Sequence, residues 1–370
     1  MEKQKPKSRS SRPAIRIGAA QLKLLERLSN ACAVSGDESE VRKIVLEEVR
    51  PRADEVKVDA LGNVLVTRRG KSEAPDGHPR LRVMLAAHMD EVGFMITRDE
   101  EDGIFRFETI GSIDARLLVG KPVWIGRDHV VGVIGAKPIH LTERDELQNP
   151  ISLETLRIDI GLGSGKVKLG DRAAFATHFS RLGPSMRGKA LDNRIGVAIL
   201  IELLKNPPEN IDLLLAFTVQ EEIGARGAGV AAYRFNPDLA FAIDSTPAND
   251  LPSWDSSENV TYNTRLGAGP ALYIADRGTL SDPRLLRHLV STAEASKIPY
   301  QIRQPGGGGT DAGSIHIRRS GIPSMSISVP GRYPHSPALI SRIEDWQNTL
   351  ALLLAALVSM PADILEQERS

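Results

Sequence analysis

Apolar positions recur along the chain in two different rhythms. Leu22, Leu24, Leu25 and Leu28 fall at near-helical spacing, which predicts a first helix. Asp37 with Glu40 three residues on resembles a capping box, opening a second helix with Val41, Ile44, Val45 and Leu46 on its buried face. Residues 56–59 and 64–67 read as a hairpin around Leu61-Gly62-Asn63, and 82–87 as a short buried strand. From about 94 to 182 the rhythm changes to short strand-like runs punctuated by glycine, with no good helical pattern. Runs of that kind suggest a small β-barrel or sandwich. After Gly183 strand and helix alternate again: helices at 194–204, 281–296 and 343–360, strands at 211–219, 239–243 and 323–329. Alternation of this type implies a mixed, mainly parallel sheet covered by helices on both sides, an α/β fold. The expected organisation is a basic tail at 1–15, an α/β domain from 16–93 and 184–370, and an inserted β-barrel module at 94–183.

Composition narrows the function. The 370 residues carry 47 Lys+Arg against 47 Asp+Glu, so the formal net charge is zero. A nucleic-acid binder needs a basic excess to neutralise phosphates, and none is present overall. The first thirteen residues are basic and polar with no apolar core behind them, unlike a secretory signal. The most apolar stretch, 350–360, is shorter than the ~20 residues that span a bilayer. The expectation is a soluble cytoplasmic protein with neither nucleic acid nor membrane as partner. Cys32 is the single cysteine, which excludes an internal disulfide and a cysteine-cluster metal site.

Five segments place His or carboxylate at a predicted strand or helix end, where ligands gather in open α/β sheets. They are Ala86-Ala87-His88-Met89-Asp90-Glu91, Ala190-Leu191-Asp192-Asn193-Arg194, Val219-Gln220-Glu221-Glu222-Ile223-Gly224, Ala242-Ile243-Asp244-Ser245 and Tyr333-Pro334-His335-Ser336-Pro337. Singly each is ordinary: an Asp at a strand end usually caps a helix, and a Glu pair usually faces solvent. Jointly, several carboxylates and two imidazoles at one rim suit a pair of divalent metals. Such a pair activates a water and polarises a carbonyl, while a further carboxylate moves the proton. Glu221 and Glu222, neighbours at a strand end, can point differently and divide those tasks.

The order His-x-Asp, Asp, Glu-Glu, Asp, His resembles the co-catalytic metallo-aminopeptidases. AHMDEVGFMI, LDNRIG, VQEEIGARGA, AIDS and YPHSP resemble one branch of them, the tetrahedral (TET) aminopeptidases of glutamyl and deblocking type, some of which have carried endoglucanase labels. The similarity runs from about Leu22 to Leu357. It implies that His88 and Asp244 bind one metal, Glu222 and His335 the other, and that Asp192 bridges them. It implies Glu221 as general base and acid, with Asp90 behind His88 orienting its ring. Two divalent ions per subunit follow, Zn first, with Co and Mn compatible with the same donors. The inserted module would be a dimerisation domain, its dimers assembling into a tetrahedral dodecamer that admits peptides. Gly111-Ser112-Ile113-Asp114 stands where the family often has Gly-Gly-Trp-Asp. Because it falls in the β module, this departure bears on assembly more than on catalysis.

The glycine-rich run Gly306–Gly309 before Thr310 and Asp311 lacks the Lys-Ser/Thr of a phosphate loop. Its simplest reading is a loop capped by Asp311; the resemblance adds a substrate-binding role for Gly309, Thr310 and Asp311. His140 and His316 read as structural, and Cys32 as a small buried apolar residue. Two other activities compete with aminopeptidase: another metal-dependent amidase or deacylase, and an endoglucanase. The latter needs two carboxyls flanking a glycosidic bond, not paired imidazoles and a bridging Asp.

Overall fold

The computed structural model describes residues 15–72, 79–144, 148–162, 166–252 and 264–369. The expected tail therefore lies outside the described residues except for Ile15. Helix α1 (Ala19–Asn30) buries Leu24, Leu25 and Leu28, and α2 (Ser39–Val49) buries Val41, Val45 and Val49. The capping box expected at Asp37 and Glu40 does not form. Glu38 is the N-cap and makes no side-chain cap bond. Glu40 instead accepts from the Cys32 amide at 2.9 Å, so a tertiary demand takes the carboxylate from the helix end.

Strands β1 (Glu55–Val58) and β2 (Val64–Arg68) form the expected antiparallel hairpin, and β3 (Arg82–His88) follows as a buried strand. The chain then leaves the α/β layer. Strands β4 (Gly93–Asp99), β5 (Ile104–Ile110), β6 (Pro122–Ile125), β7 (Val130–Gly135), β8 (Arg157–Asp159) and β9 (Arg172–Phe175) close into a barrel in the order β4-β5-β8-β7-β6-β9. Phe94 fills its centre, meeting Phe107 and Phe175 edge to face at centroid distances of 5.1 and 5.3 Å. That geometry sets ring edges against ring faces, the arrangement their quadrupoles favour.

The α/β layer resumes with β10 (Ser180–Leu182), β11 (Ser185–Gly188), α3 (Leu191–Lys205), β12 (Asp212–Thr218), α4 (Arg226–Phe235), β13 (Leu239–Pro247) and β14 (Ala271–Tyr273). It ends with α5 (Pro283–Ser296), β15 (Gln301–Arg303), α6 (Asp311–Ile315), β16 (Ser324–Arg332), β17 (Leu339–Arg342) and α7 (Ile343–Val358). The sheet runs β1-β2-β12-β3-β13-β16-β17-β11-β10, with β14 and β15 beside β16. Its centre is parallel: β3 pairs with β12 and β13, and β13 with β16. In register, Thr218 lies opposite His88, and Asp244 opposite Ser328. The carboxyl ends of all four strands thus share one rim. Helix α3, buried from Ile195 to Leu204, packs its apolar surface against the sheet. Among the described residues no helix is long and apolar enough to cross a membrane.

The pattern of large apolar residues does not reveal α4. Its buried positions are mostly Gly and Ala because it packs too closely for larger side chains. A Cβ at Gly227 would sit 2.3 Å from Asn63 Oδ1 and 2.5 Å from the Val219 carbonyl oxygen.

Beneath the rim lies a fully enclosed ion network. The Lys189 ammonium donates to both oxygens of Glu91 at 2.8 and 2.9 Å, and Arg194 donates to Oε1 at 3.2 Å. The Ala33 amide donates to the same oxygen at 3.0 Å. Arg194 also donates to the carbonyls of Met89 and Leu28, at 2.9 and 3.1 Å. Glu91→Ala leaves two cations buried without their partner. We expect a loss of about 3–5 kcal/mol in stability, read from the urea midpoint. A change under about 1 kcal/mol would mean that water replaces the carboxylate.

Candidate metal centre

The predicted site residues arrive from five separate segments of the chain and the loop before α6. His88 is the last residue of β3, Asp244 lies near the end of β13, and Asp192 opens α3. His335 follows β16. Glu221 and Glu222 do not sit at an extended strand end, contrary to the sequence expectation. β12 stops at Thr218, and the pair occupies a turn in which the Glu221 carbonyl accepts from the Gly224 and Ala225 amides at 2.8 and 2.9 Å. Four non-glycine residues around the site hold left-handed backbone: Ala190 (φ 53°), Gln220 (57°), Tyr333 (62°) and His335 (53°). Such conformations cost about 1–3 kcal/mol each and persist where the surroundings impose them. The Asp192-Asn193 peptide is cis.

The side chains converge. His88 Nε2 lies 3.4 Å from Asp192 Oδ1 and 3.4 Å from Asp244 Oδ1. His335 Nε2 lies 3.2 Å from Glu222 Oε2 and 3.7 Å from Asp192 Oδ2. The two oxygens of Asp192 therefore face two different imidazoles. Glu221 Oε2 stands on the His88 side, 3.9 Å from Nε2. His88, Asp192 and Glu222 each offer a donor atom within 4.8 Å of the others, close enough to hold one cation.

A second layer of hydrogen bonds aims these groups. His88 Nδ1 meets the Asp90 carbonyl at 3.2 Å and the Asp90 carboxylate at 3.5 Å. Protonation at Nδ1 leaves the Nε2 lone pair facing the carboxylates. Asp90 does more than the orienting role expected of it. It accepts from the amides of Glu221 and Glu222, at 3.0 and 3.2 Å, and from the Ser35 hydroxyl at 2.6 Å. It thereby fixes the backbone that carries both glutamates. Asn193 donates to the Ile243 carbonyl at 2.6 Å and accepts from the Gly196 amide at 3.1 Å, bracing Asp192 against the strand that bears Asp244.

Ser112 reverses one expectation. Its carbonyl lies 3.0 Å from His335 Nδ1, so the barrel segment at 111–114 reaches into the site and is not confined to assembly. The approach is tight. A Cβ on Gly111, whose φ is 81°, would come within 2.7 Å of Val92 Cγ1 and 3.5 Å of Glu222 Cβ. No residue-type pattern could have flagged Ser112, because it contributes a backbone atom.

The electrostatics call for a cation. Burial, joined by Asp192, Asp90 and Asp244, pushes the Glu222 carboxyl well above the usual range, against the pull of His88. Burial likewise raises Glu221 and Asp244. His88 is driven well upward: burial opposes its charge, but contacts with Asp192, Asp244 and Asp90 outweigh that cost. A set of mutually repelling carboxylates between two imidazoles is chemically a divalent-cation cradle. The donors present fit the metal that the resemblance implies.

The glycine-rich loop departs from expectation in one respect. Thr310, not Asp311, caps α6: its hydroxyl accepts from the Ala312 amide at 3.2 Å and pairs with Ser326 Oγ at 2.7 Å. Asp311 is buried beside the site and takes a 2.5 Å hydrogen bond from the Thr218 hydroxyl. Burial pushes its carboxyl up to about 7, against His88 and Thr218, which pull it down. Gly309 is exposed on the loop.

A mixed α/β sheet, parallel at its centre, and a closed six-strand barrel thus bring two imidazoles and several carboxylates to one rim. Residues 62–352 match the M42 glutamyl aminopeptidase family, and the chain belongs to that family. It is 32% identical over 356 residues to the glutamyl aminopeptidase of Lactococcus lactis subsp. cremoris, covering 91% of this chain and 95% of that protein. It is 32% identical over 347 residues to the lysyl aminopeptidase of Pyrococcus furiosus, covering 90% of this chain and 96% of that one. The solved TET1 peptidase of Pyrococcus horikoshii, which can assemble into a tetrahedron or a large octahedral shell, matches with TM-score 0.80 at 34% identity. That match covers 92% of this chain and 100% of the other.

The Ser35 hydroxyl gives this support a simple check. Ser35→Ala should cost about 1.5–3 kcal/mol, the value of a hydrogen bond to a buried charged group. Urea denaturation measures it. An unchanged midpoint would show that Asp90 is held by the two amides alone.

Proposed function

We propose that this aminopeptidase removes N-terminal residues from peptides, with two divalent cations in the rim site and Glu221 as general base and acid. The observation that carries the reading is the placement of Asp192, whose two oxygens face the Nε2 atoms of His88 and His335 separately. His88 and Asp244 are the remaining donors for one ion, Glu222 and His335 for the other. When bound, such a pair supplies Lewis acidity and lowers the pKa of a water toward neutrality. Zn is the first choice for imidazole and carboxylate donors, with Co and Mn suited to the same set.

Glu221 differs from Glu222 in what surrounds it. Its carboxylate lies 3.9 Å from His88 Nε2, and its side chain is less buried than that of Glu222, which pairs with His335. From there it takes a proton from the attacking water and returns it to the departing amine. Asp90, by holding the amides of both glutamates, keeps that carboxylate in reach. The substrate role expected of Gly309, Thr310 and Asp311 falls to exposed Gly309, whose backbone groups would meet a peptide, while buried Thr310 and Asp311 hold the end of that loop.

The barrel is proposed as the dimerisation module. Val131, Val133 and Ile139 on it are exposed at 61, 43 and 75% of their surface, apolar area that a second barrel would cover. Assembly of such dimers into a dodecamer, as in the TET1 relative, would limit substrates to unfolded peptides. Cys32 as a single free thiol is consistent with a reducing, cytoplasmic setting.

Glu221→Gln should retain both metal ions and lower kcat about 10²–10⁴-fold, the range of general acid–base catalysis. Full turnover in that variant would move the base elsewhere. His335→Ala should instead lower the metal content, measured by elemental analysis. If activity on peptides with blocked N-termini matched that on free ones, the protein would be a broader amidase or deacylase. Reducing-sugar release from a cellulose oligomer would make it an endoglucanase.

A further inference from the structure

A second group of metal-type donors lies away from the rim, where the barrel meets the first two helices. Cys32 follows α1, Glu40 lies in the first turn of α2, and His129 occupies the turn between β6 and β7 of the barrel. Donor atoms of the three lie within 4.8 Å of one another. His129 Nε2 and Glu40 Oε1 are 2.6 Å apart. The His129 backbone is left-handed (φ 50°), and its ring stacks on Trp124 with centroids 5.8 Å apart and planes 18° from parallel. Backbone and stacking partner together aim Nε2 at α2. Cys32 is partly buried, and that burial pushes its thiol up to about 12, so a bound cation is what would hold it as the thiolate.

The space beside them is a cleft of ≈ 240 Å³ that Cys32, Glu40, Asp37 and Trp124 help to line. A small hydrated ion in it can reach Cys32 and Glu40, and His129 Nε2 lies 2.6 Å from Glu40 Oε1 behind them. Arg127 and Arg172 line the same cleft, so a cation needs anionic ligands there to be held. Arg172 is already engaged, donating to the Gly170 carbonyl at 2.7 Å.

We propose that Cys32, Glu40 and His129 form a further metal site, distinct from the rim centre, for a thiophilic divalent cation of the zinc type. A thiolate, a carboxylate and a neutral imidazole balance a dipositive ion. Zinc bonds of about 2.0–2.3 Å in a tetrahedron set such donors about 3.4–3.6 Å apart, a spacing the cluster reaches by small side-chain rotations. The fourth position faces the cleft and takes water. Binding releases the thiol proton and joins barrel to helices through one ion. The stapled segment is the one that supports the rim: Ala33 donates to Glu91 and Ser35 to Asp90. The site thus acts as a structural clamp.

Cobalt substitution isolates it, because Cys32 is the only cysteine of the chain. Metal-free full-length protein is titrated with Co²⁺ while the near-ultraviolet spectrum and the bound metal are followed. A thiolate-to-cobalt charge-transfer band should appear with one equivalent beyond those of the rim site. Cys32→Ser should lose that band and bind one ion fewer, with the visible spectrum of the rim cobalt unchanged. His129→Ala should shift the band to higher cobalt concentration. Absence of the band in the parent protein, or equal metal content in parent and Cys32→Ser, would overturn the proposal. The band reports on Cys32 alone, so its failure is separable from any failure of the rim site to bind metal.

Discussion

Glu91 is the residue around which the site is arranged. A buried carboxylate is tolerated only when its charge is met and its oxygens are occupied. Here Lys189 and Arg194 meet the charge, and the Ala33 amide takes a remaining acceptor position. Those partners lie on the loop after α1, the segment before α3 and α3 itself. His88 and Asp90 stand just before Glu91, and Asp192 lies between Lys189 and Arg194. One ion network therefore fixes, within a few residues, the two chain segments whose side chains meet at 3.4 Å. Apolar contacts alone do not specify the angle of a carboxylate; these directed hydrogen bonds do.

The sheet supplies the other half of the constraint. Four parallel strands in register present their carboxyl ends along one rim, and the residues beyond those ends cannot be far apart. Strand pairing brings β3, β12, β13 and β16 together although more than two hundred residues separate the first from the last. The left-handed residues at the turns are the local cost of bending each segment over the rim. Repulsion among the carboxylates adds a further cost in the metal-free protein, one that a divalent cation relieves.

What the sequence reveals follows from what the physics makes visible there. Helices α1 and α2 and strands β3, β12 and β16 carry periodic large apolar residues, so their existence is readable. The cluster of His88, Asp192, Glu221, Glu222, Asp244 and His335 is readable for a related reason: these residues lie in or near the ends of apolar strands or at the start of an apolar helix. Helix α4 is hidden because close packing strips it of large side chains. The turn at Glu221 is hidden because its cause, Gln220 at φ 57°, is a residue type that carries no left-handed signal. Glu40 misleads outright, since its spacing fits a cap while its carboxylate serves Cys32 and His129. Ser112 is silent, because a carbonyl oxygen is common to every residue.

The Ser112 contact changes how the barrel should be regarded. An inserted module that only mediates assembly could be shifted without consequence for chemistry. This one contributes the carbonyl that accepts from His335 Nδ1 at 3.0 Å, and a hydrogen bond of that kind weakens steeply with poor angle. Losing it would free the ring to turn, and Nε2 would no longer hold its 3.2 Å approach to Glu222. The barrel also reaches back to α2 through His129. It is thus anchored to the α/β layer at two separate places. A body fixed at two such points resists rotation about either one. The seating of the barrel on the α/β layer therefore bears on the position of an imidazole in the rim site.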